Sequence, residues 1–261
     1  MTGISGIIYL YAFFIGISIY SFVNVVIYRV PRRMPWVNDR SKCPTCGKTL
    51  KARDLIPIGS YLALGGRCRY CHSKISKRYP CVELMGGILA VAIVAQYGAL
   101  EILHLWTLAQ AVVVFLFFTI LTCIAGIDID TLEIPNELVV GVFLCGLVSI
   151  PFFPGISMGE RILGIVVVSI PLLAITVAVK GAFGGGDIKL MAATGMFLGW
   201  KLNIVAILLA ILLGGFYGIY LLIRKKKDKK DHFAFGPFLC VGIGLALYKG
   251  QGIMDWYLGL L

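Results

Sequence analysis

Of the 13 acidic residues in this chain of 261, two stand at the edges of apolar runs where a charge is least expected. Asp128 closes one run in Gly126-Ile-Asp-Ile-Asp130-Thr-Leu-Glu-Ile-Pro135-Asn136. Asp187 follows three glycines in Gly184-Gly-Gly-Asp187-Ile-Lys189. An ionisable side chain beside hydrocarbon is costly, so each is a candidate for chemistry. Two carboxylates brought within a few ångströms of each other cannot both ionise, and they share one proton. The ionised partner can activate a water as general base. The protonated partner can polarise a peptide carbonyl and later protonate the leaving amine. Gly184, Gly185 and Gly186 have no side chains, which permits an irregular backbone and close approach of an extended substrate. Each motif also has a plainer reading: Asp187 as the cap of a helix that follows a glycine turn, and Asp128 as an interfacial residue.

A second constellation is built from sulfur. Cys43-Pro-Thr-Cys46-Gly is followed by Cys68-Arg-Tyr-Cys71, two paired turns with the spacing of a tetrahedral zinc site. Gly47 helps the first turn, and the surrounding Lys and Arg ease thiolate formation. Four cysteines close the coordination shell, so the expected zinc is structural and would supply much of the stability of a segment too short to hold its own core. Two disulfides are the alternative, natural outside the cell and rare in the cytosol. His72 is expected to be a solvated neighbour, and Cys81, Cys123, Cys145 and Cys240 to be packing residues.

The elements that must position these groups are hydrophobic. The chain is 59% hydrophobic and 14% charged, with mean hydropathy +0.91, which excludes a soluble domain and predicts an all-α polytopic membrane protein. Eight spans are predicted, at 5–28, 83–99, 105–126, 136–153, 161–181, 188–200, 203–223 and 234–250. The net charge of +11 is not spread as a nucleic-acid binder would spread it: of 24 Lys and Arg, 13 lie between Arg29 and Arg78 and six between Arg224 and Lys230. Such clusters beside spans mark cytoplasmic loops and attract anionic lipid. If both clusters are cytoplasmic, an even number of spans separates them, which requires a break near Gly199 to Asn203. Asp128 and Asp187 then fall on the same, cytoplasmic, side, and only Arg161, Lys201 and Lys249 are left outside. Positive charge follows the first apolar run and none precedes it, so that run is expected to be an anchor with its N-terminus outside. The predicted division is a first span at 1–28, a cytoplasmic zinc-binding segment at 29–82 and a multi-span aspartic peptidase part at 83–261. No internal repeat stands out.

With these motifs in hand the chain resembles the type IV prepilin peptidases, membrane aspartic peptidases of the GxGD class, over most of its length. Ser21-Phe-Val-Asn24-Val-Val-Ile-Tyr-Arg-Val-Pro31-Arg is similar to the exit of that family's first span, and Tyr79-Pro80-Cys-Val-Glu83-Leu to the start of its second. Cys43, Cys46, Cys68 and Cys71 match its four-cysteine loop, which the related archaeal preflagellin peptidases lack. The family's catalytic pair falls on Asp128, in D-x5-I-P-N, and on Asp187, which closes Gly184-x-Gly186-Asp. Presenilin-like proteases have Tyr before the first aspartate, and here Ile127 precedes Asp128. The resemblance implies cleavage of a short basic leader from prepilins or pseudopilins at the cytoplasmic face of the bacterial inner membrane. It also implies N-methylation of the new terminus with S-adenosylmethionine, for which no glycine-rich nucleotide loop is visible.

The loop at 29–82 is itself strongly basic and would not attract a basic leader. Asp130, Glu133 and Glu137, beside the two aspartates, are the candidates to hold it, or else are solvated helix-end groups. Two other functions remain open at this stage. One is a non-enzymatic assembly or transport factor that docks through its zinc module. The other is a protease that cuts inside a helix.

Overall fold

The computed structural model describes residues 2–35, 37, 40–179, 181–223 and 233–259. Lys180 and the basic cluster at 224–230 lie outside the described residues. Described residues are helical apart from turns and two isolated antiparallel bridges. The chain forms two compact units, Met1–Phe115 and Leu116–Leu261.

In the first unit a long helix α1 (Thr2–Arg29) is followed by the cysteine segment, a short helix α2 (Gly59–Ala63) and helix α3 (Arg78–Tyr97). Helices α1 and α3 pack directly on each other. Lipid gives helices no hydrophobic reason to associate, so small residues that let backbones approach supply the contact. A Cβ at Gly87 would sit 2.6 Å from the Phe13 ring, and one at Gly86 would enter the buried ring of Tyr20. Gly98, whose φ of 89° and ψ of 131° suit a residue without Cβ, ends α3.

Helix α4 (Leu105–Thr131) runs from the first unit into the second and carries Asp128 in its last turn. Helix α5 (Asn136–Val148) begins directly after Pro135, whose missing N–H costs nothing at a helix start. Where one span was predicted at 161–181 there are two helices, α6 (Met158–Val167) and α7 (Ser169–Ala178). Pro171 explains the break, because its ring crowds the carbonyl four residues back, that of Val167. A capping box opens α6: the Ser157 hydroxyl accepts the Glu160 N–H, and Glu160 accepts the Ser157 N–H at 2.9 Å.

The helical stretch α8 (Gly185–Ile223) turns back on itself at Gly199, whose φ of 71° and ψ of 173° are not helical. Asn203 demonstrates the fold-back. Its Nδ2 donates to Met191 O at 3.0 Å and its Oδ1 accepts from Thr194 at 3.1 Å. In a straight helix residues this far apart would be separated by ~14–18 Å. The stretch is therefore a hairpin with arms at 185–198 and 200–223, and the break predicted near Gly199 to Asn203 is where the chain reverses. Asn203 also donates to Gly164 O on α6 at 2.9 Å, where the Gly164 and Gly195 backbones meet without intervening side chains. Arg161 is fully buried here and donates to Met196 O, Ser149 Oγ, Phe153 O and Ile156 O. These oxygens take the place of a counter-ion, and Met196 O, in the last turn before Gly199, adds the negative pole of a helix dipole. Helix α9 (Gly236–Leu258) packs on the second arm of the hairpin, with Gly242 against Ala206 and Ala210.

Six described helical segments are long and apolar enough to cross a membrane, and α5, with 13 residues, is shorter. Taking α6 and α7 as one crossing, and counting α5 and the two arms of α8 separately, gives the eight segments the sequence predicts.

Candidate functional site

Two helix N-termini of the second unit each hold one of the aspartates. Asp128 is 5% exposed, and its Oδ2 accepts the backbone N–H of Gly236, the first residue of α9, at 2.8 Å. Asp187 is 8% exposed, and its Oδ2 accepts the N–H of Gly184 at 3.0 Å, immediately before the hairpin's first arm. The first N–H groups of a helix have no partner within it, and the dipole there favours negative charge. Each carboxylate thus has one oxygen fixed by a backbone donor and a second left for chemistry. The two interact electrostatically and line one cavity of about 1070 Å³.

That Asp187 caps the helix it opens does not remove it from the cavity: one side chain does both. The three glycines differ from one another. Gly185 and Gly186 are helical, and none of the three has positive φ, so what they supply is space. A Cβ at Gly186 would lie 2.8 Å from the Cβ of Ile134, so this glycine lets the hairpin close on the 132–135 segment. Gly185 faces open space and forms a bare stretch of cavity wall. Glu133 lines the same cavity, whereas Asp130 and Glu137 are exposed and do not.

Three features of the cavity escape a reading of local motifs. Gly236 is one: a Cβ there would fall 2.7 Å from Asp128 Oδ2, so any side chain would dislodge the carboxylate. The aromatic pair Phe183 and Phe235, with ring centroids 5.7 Å apart, is the second. The third is Lys189, whose Nζ donates to Asn136 Oδ1 at 3.0 Å and ties α5 to the hairpin's first turn. Phe235-Gly236-Pro237 before an apolar run was the available signal, since Pro favours a first helical turn.

In the first unit the sulfurs of Cys43, Cys46, Cys68 and Cys71 lie within 4.8 Å of one another, with Cys43 Sγ and Cys71 Sγ 3.9 Å apart. Tetrahedral zinc with bonds of ~2.3 Å requires sulfurs ~3.8 Å apart. The set can therefore hold a metal, and all four thiols are free of disulfides. The two knuckles repeat each other. Cys43 N–H donates to Lys48 O and Cys68 N–H to Ser73 O, and the bridges Lys42 to Thr49 and Arg67 to Lys74 match in the same way. Gly47 and His72 occupy equivalent left-handed positions, at φ 68° and 58°, so His72 shapes a turn and is not among the ligands. Beyond the cysteines, the side chains carry this repeat only weakly, in Lys42 and Arg67 and in Leu50 and Ile75.

The electrostatics of the four thiols favour a cation among them. Burial alone would raise the Cys43 thiol, but the N–H groups of Cys46 and Thr45 outweigh it and bring it down to about 6. The Lys48 N–H favours the Cys46 thiolate, yet desolvation and the neighbouring Cys43 and Cys71 win and push it up to about 11. Four thiolates this close need a positive charge between them. Asp54 fastens the second knuckle by accepting from Arg69 Nε at 2.6 Å and Tyr70 OH at 2.9 Å. The Arg69 guanidinium holds its carboxyl down to about 2.

Residues 14–97 match the bacterial peptidase A24 N-terminal domain, and residues 115–219 match the type IV leader peptidase family. Three curated relatives bear the name prepilin leader peptidase/N-methyltransferase. The one from Aeromonas hydrophila is 31% identical over 97% of this chain and 93% of its own length. That from Pseudomonas aeruginosa is 31% identical over 94% and 91%, and that from Bacillus subtilis 33% identical over 94% and 96%. No solved structure matches the chain significantly.

Proposed function

We infer the chemistry from one premise: the chain belongs to the type IV leader peptidase family. It is a multi-pass membrane endopeptidase of the bacterial inner membrane that removes the leader from prepilins or pseudopilins and then N-methylates the new terminus. The observation that carries the peptidase reading is the pair of buried carboxylates, each anchored to a backbone N–H, in one cavity with a glycine wall.

Asp128 and Asp187 share one proton in the resting site. The ionised member takes a proton from a water, which attacks the scissile carbonyl. The protonated member gives its proton to the carbonyl oxygen; as the C–N bond breaks, the proton taken from water passes to the departing amine and the first proton returns to the dyad. Gly185 admits an extended peptide close to Asp187, since no side chain projects there. The active face is cytoplasmic, as the basic loops on either side of it imply. Of the three acids assigned to the leader, Glu133 has the most direct role because it lines the cavity, while Asp130 and Glu137 contribute charge from outside it. The basic segment at 29–82 faces anionic lipid.

Cys43, Cys46, Cys68 and Cys71 hold a structural zinc, which orders the segment at 29–82 and leaves no coordination position for substrate. S-adenosylmethionine supplies the methyl group for the second activity. The decisive experiment is incubation of the purified protein with a leader-bearing prepilin, followed by intact-mass analysis that reads cleavage and methylation together. Asp128→Asn and Asp187→Asn should each lower cleavage by about a hundredfold or more. Substantial turnover by either variant would remove the dyad, and no cleavage by the wild-type protein would favour a non-enzymatic assembly role.

A further inference from the structure

The cavity with the aspartates is not the only large one. A second, of about 1000 Å³, lies within the first unit between the ends of α1 and α3 and the cysteine knuckles. None of its lining residues lines the peptidase cavity. Its volume is at the upper end of pockets that take ligands of drug size, ~300–1,000 Å³. Two nine-tenths-buried polar side chains in its wall have duties that leave them incompletely used. Asn24, 5% exposed, donates its amide to Tyr20 O and Tyr79 O, which leaves its carbonyl oxygen as an acceptor. Glu83, 8% exposed, accepts the Ile58 N–H on Oε2 at 2.7 Å, its hydrogen-bond partner among the described residues.

Glu83 is costly for that duty. Burying a carboxylate far outweighs the return from one backbone hydrogen bond, and a neutral amide would accept the same N–H. The surroundings sharpen the point. The segment from Arg29 to Arg78 carries 13 Lys and Arg, and Asp54, the other acid in the wall, is committed to Arg69 and Tyr70. A small cation would be repelled by the segment at large and drawn to one spot, the Glu83 carboxylate. Tyr61 and Tyr79 line the same wall, and aromatic residues suit a planar base or a cation.

We propose that this cavity is the binding site of the methyl donor, an adenosyl-sulfonium compound, with Glu83 as the group that faces its positive charge and Asn24 as a neutral polar contact. The assignment rests on the N-methylation reading above. It gives the basic, cysteine-bearing half of the chain a ligand of its own, distinct from the peptide bound by the aspartates.

The test measures binding to the intact detergent-purified protein by equilibrium dialysis, with S-adenosylmethionine and, in parallel, with S-adenosylhomocysteine, which lacks the sulfonium charge. Glu83→Gln keeps an acceptor for Ile58 N–H and removes only the charge. It should weaken S-adenosylmethionine by about tenfold and S-adenosylhomocysteine by much less. Ser21→Trp, which fills the cavity from α1, should abolish binding of both, with metal content as the control for folding. Equal weakening of both ligands by Glu83→Gln, no weakening of S-adenosylmethionine, or wild-type binding by Ser21→Trp would each overturn the site. Failure of the wild-type protein to bind either ligand would instead overturn the N-methylation reading, and the site with it.

Discussion

Each carboxylate proposed as catalytic is held by a backbone group rather than by another side chain, so the residues that matter beside it are those that must have no side chain at all. Gly236→Ala would place a methyl 2.7 Å from Asp128 Oδ2 and 3.0 Å from its Cγ. It should lower kcat by at least about tenfold, because displacement of a catalytic group by ~1 Å costs on that order or more. Peptidase assays on membranes with matched protein levels check this, and unchanged kcat would refute it. The glycine run before Asp187 offers a contrast in stability. Gly186→Ala meets Ile134 and should lower the Tm, whereas Gly185→Ala meets nothing and gains up to ~1 kcal/mol of helix propensity. Sequence alone shows that three glycines precede an aspartate, and it locates both aspartates through their cost in an apolar run. It does not rank the glycines, since that depends on the position of Ile134. Gly236 is further out of reach, since its partner Asp128 lies 108 residues away and no local pattern joins them.

Among the elements, the hairpin at Gly199 and the cysteine segment carry distinct expectations. Asn203 is fully buried and bonds to both Thr194 and Met191 across the turn, and to Gly164 on α6. Asn203→Leu removes all three bonds, leaves Thr194 its bond to Met191 O, and should destabilise the protein by about 1–3 kcal/mol, measured by thermal unfolding in detergent. The break itself was legible from charge parity, which is a global constraint. The split of α6 from α7 was not, although Pro171 is visible, because a proline near a helix start is often tolerated. The cysteine segment should hold about one zinc per chain, and Cys43→Ser should abolish that metal and unfold the segment. Its acid sensitivity follows from which group titrates first. Asp54 has a folded value of about 2 against an ordinary 3.8, so its contribution is complete above 3.8 and is lost only as pH falls through about 2. Protons compete with the metal for the thiolates at higher pH than this, since ligation requires the thiols deprotonated. Zinc should therefore leave well before the Asp54 to Arg69 contact fails, as a chromophoric chelator monitored during acid titration would report. Simultaneous loss of both near pH 2 would contradict this order.

For the molecule as a whole, the clustering of 19 of the 24 basic residues in two stretches remains the strongest topological signal, and it is read without coordinates. It predicts that a cysteine introduced near Lys227 is unreactive towards an impermeant reagent in intact cells, while cysteines at either terminus react from outside. Labelling near Lys227 from outside would invert the assignment. One further consequence concerns time. The donor that fixes Asp128 belongs to α9, the last of the described helices, while both aspartates lie within residues 1–187. A nascent chain still short of Gly236 thus carries both acids without the group that aligns the first. The order of synthesis itself therefore delays proteolysis until α9 has been made and has docked.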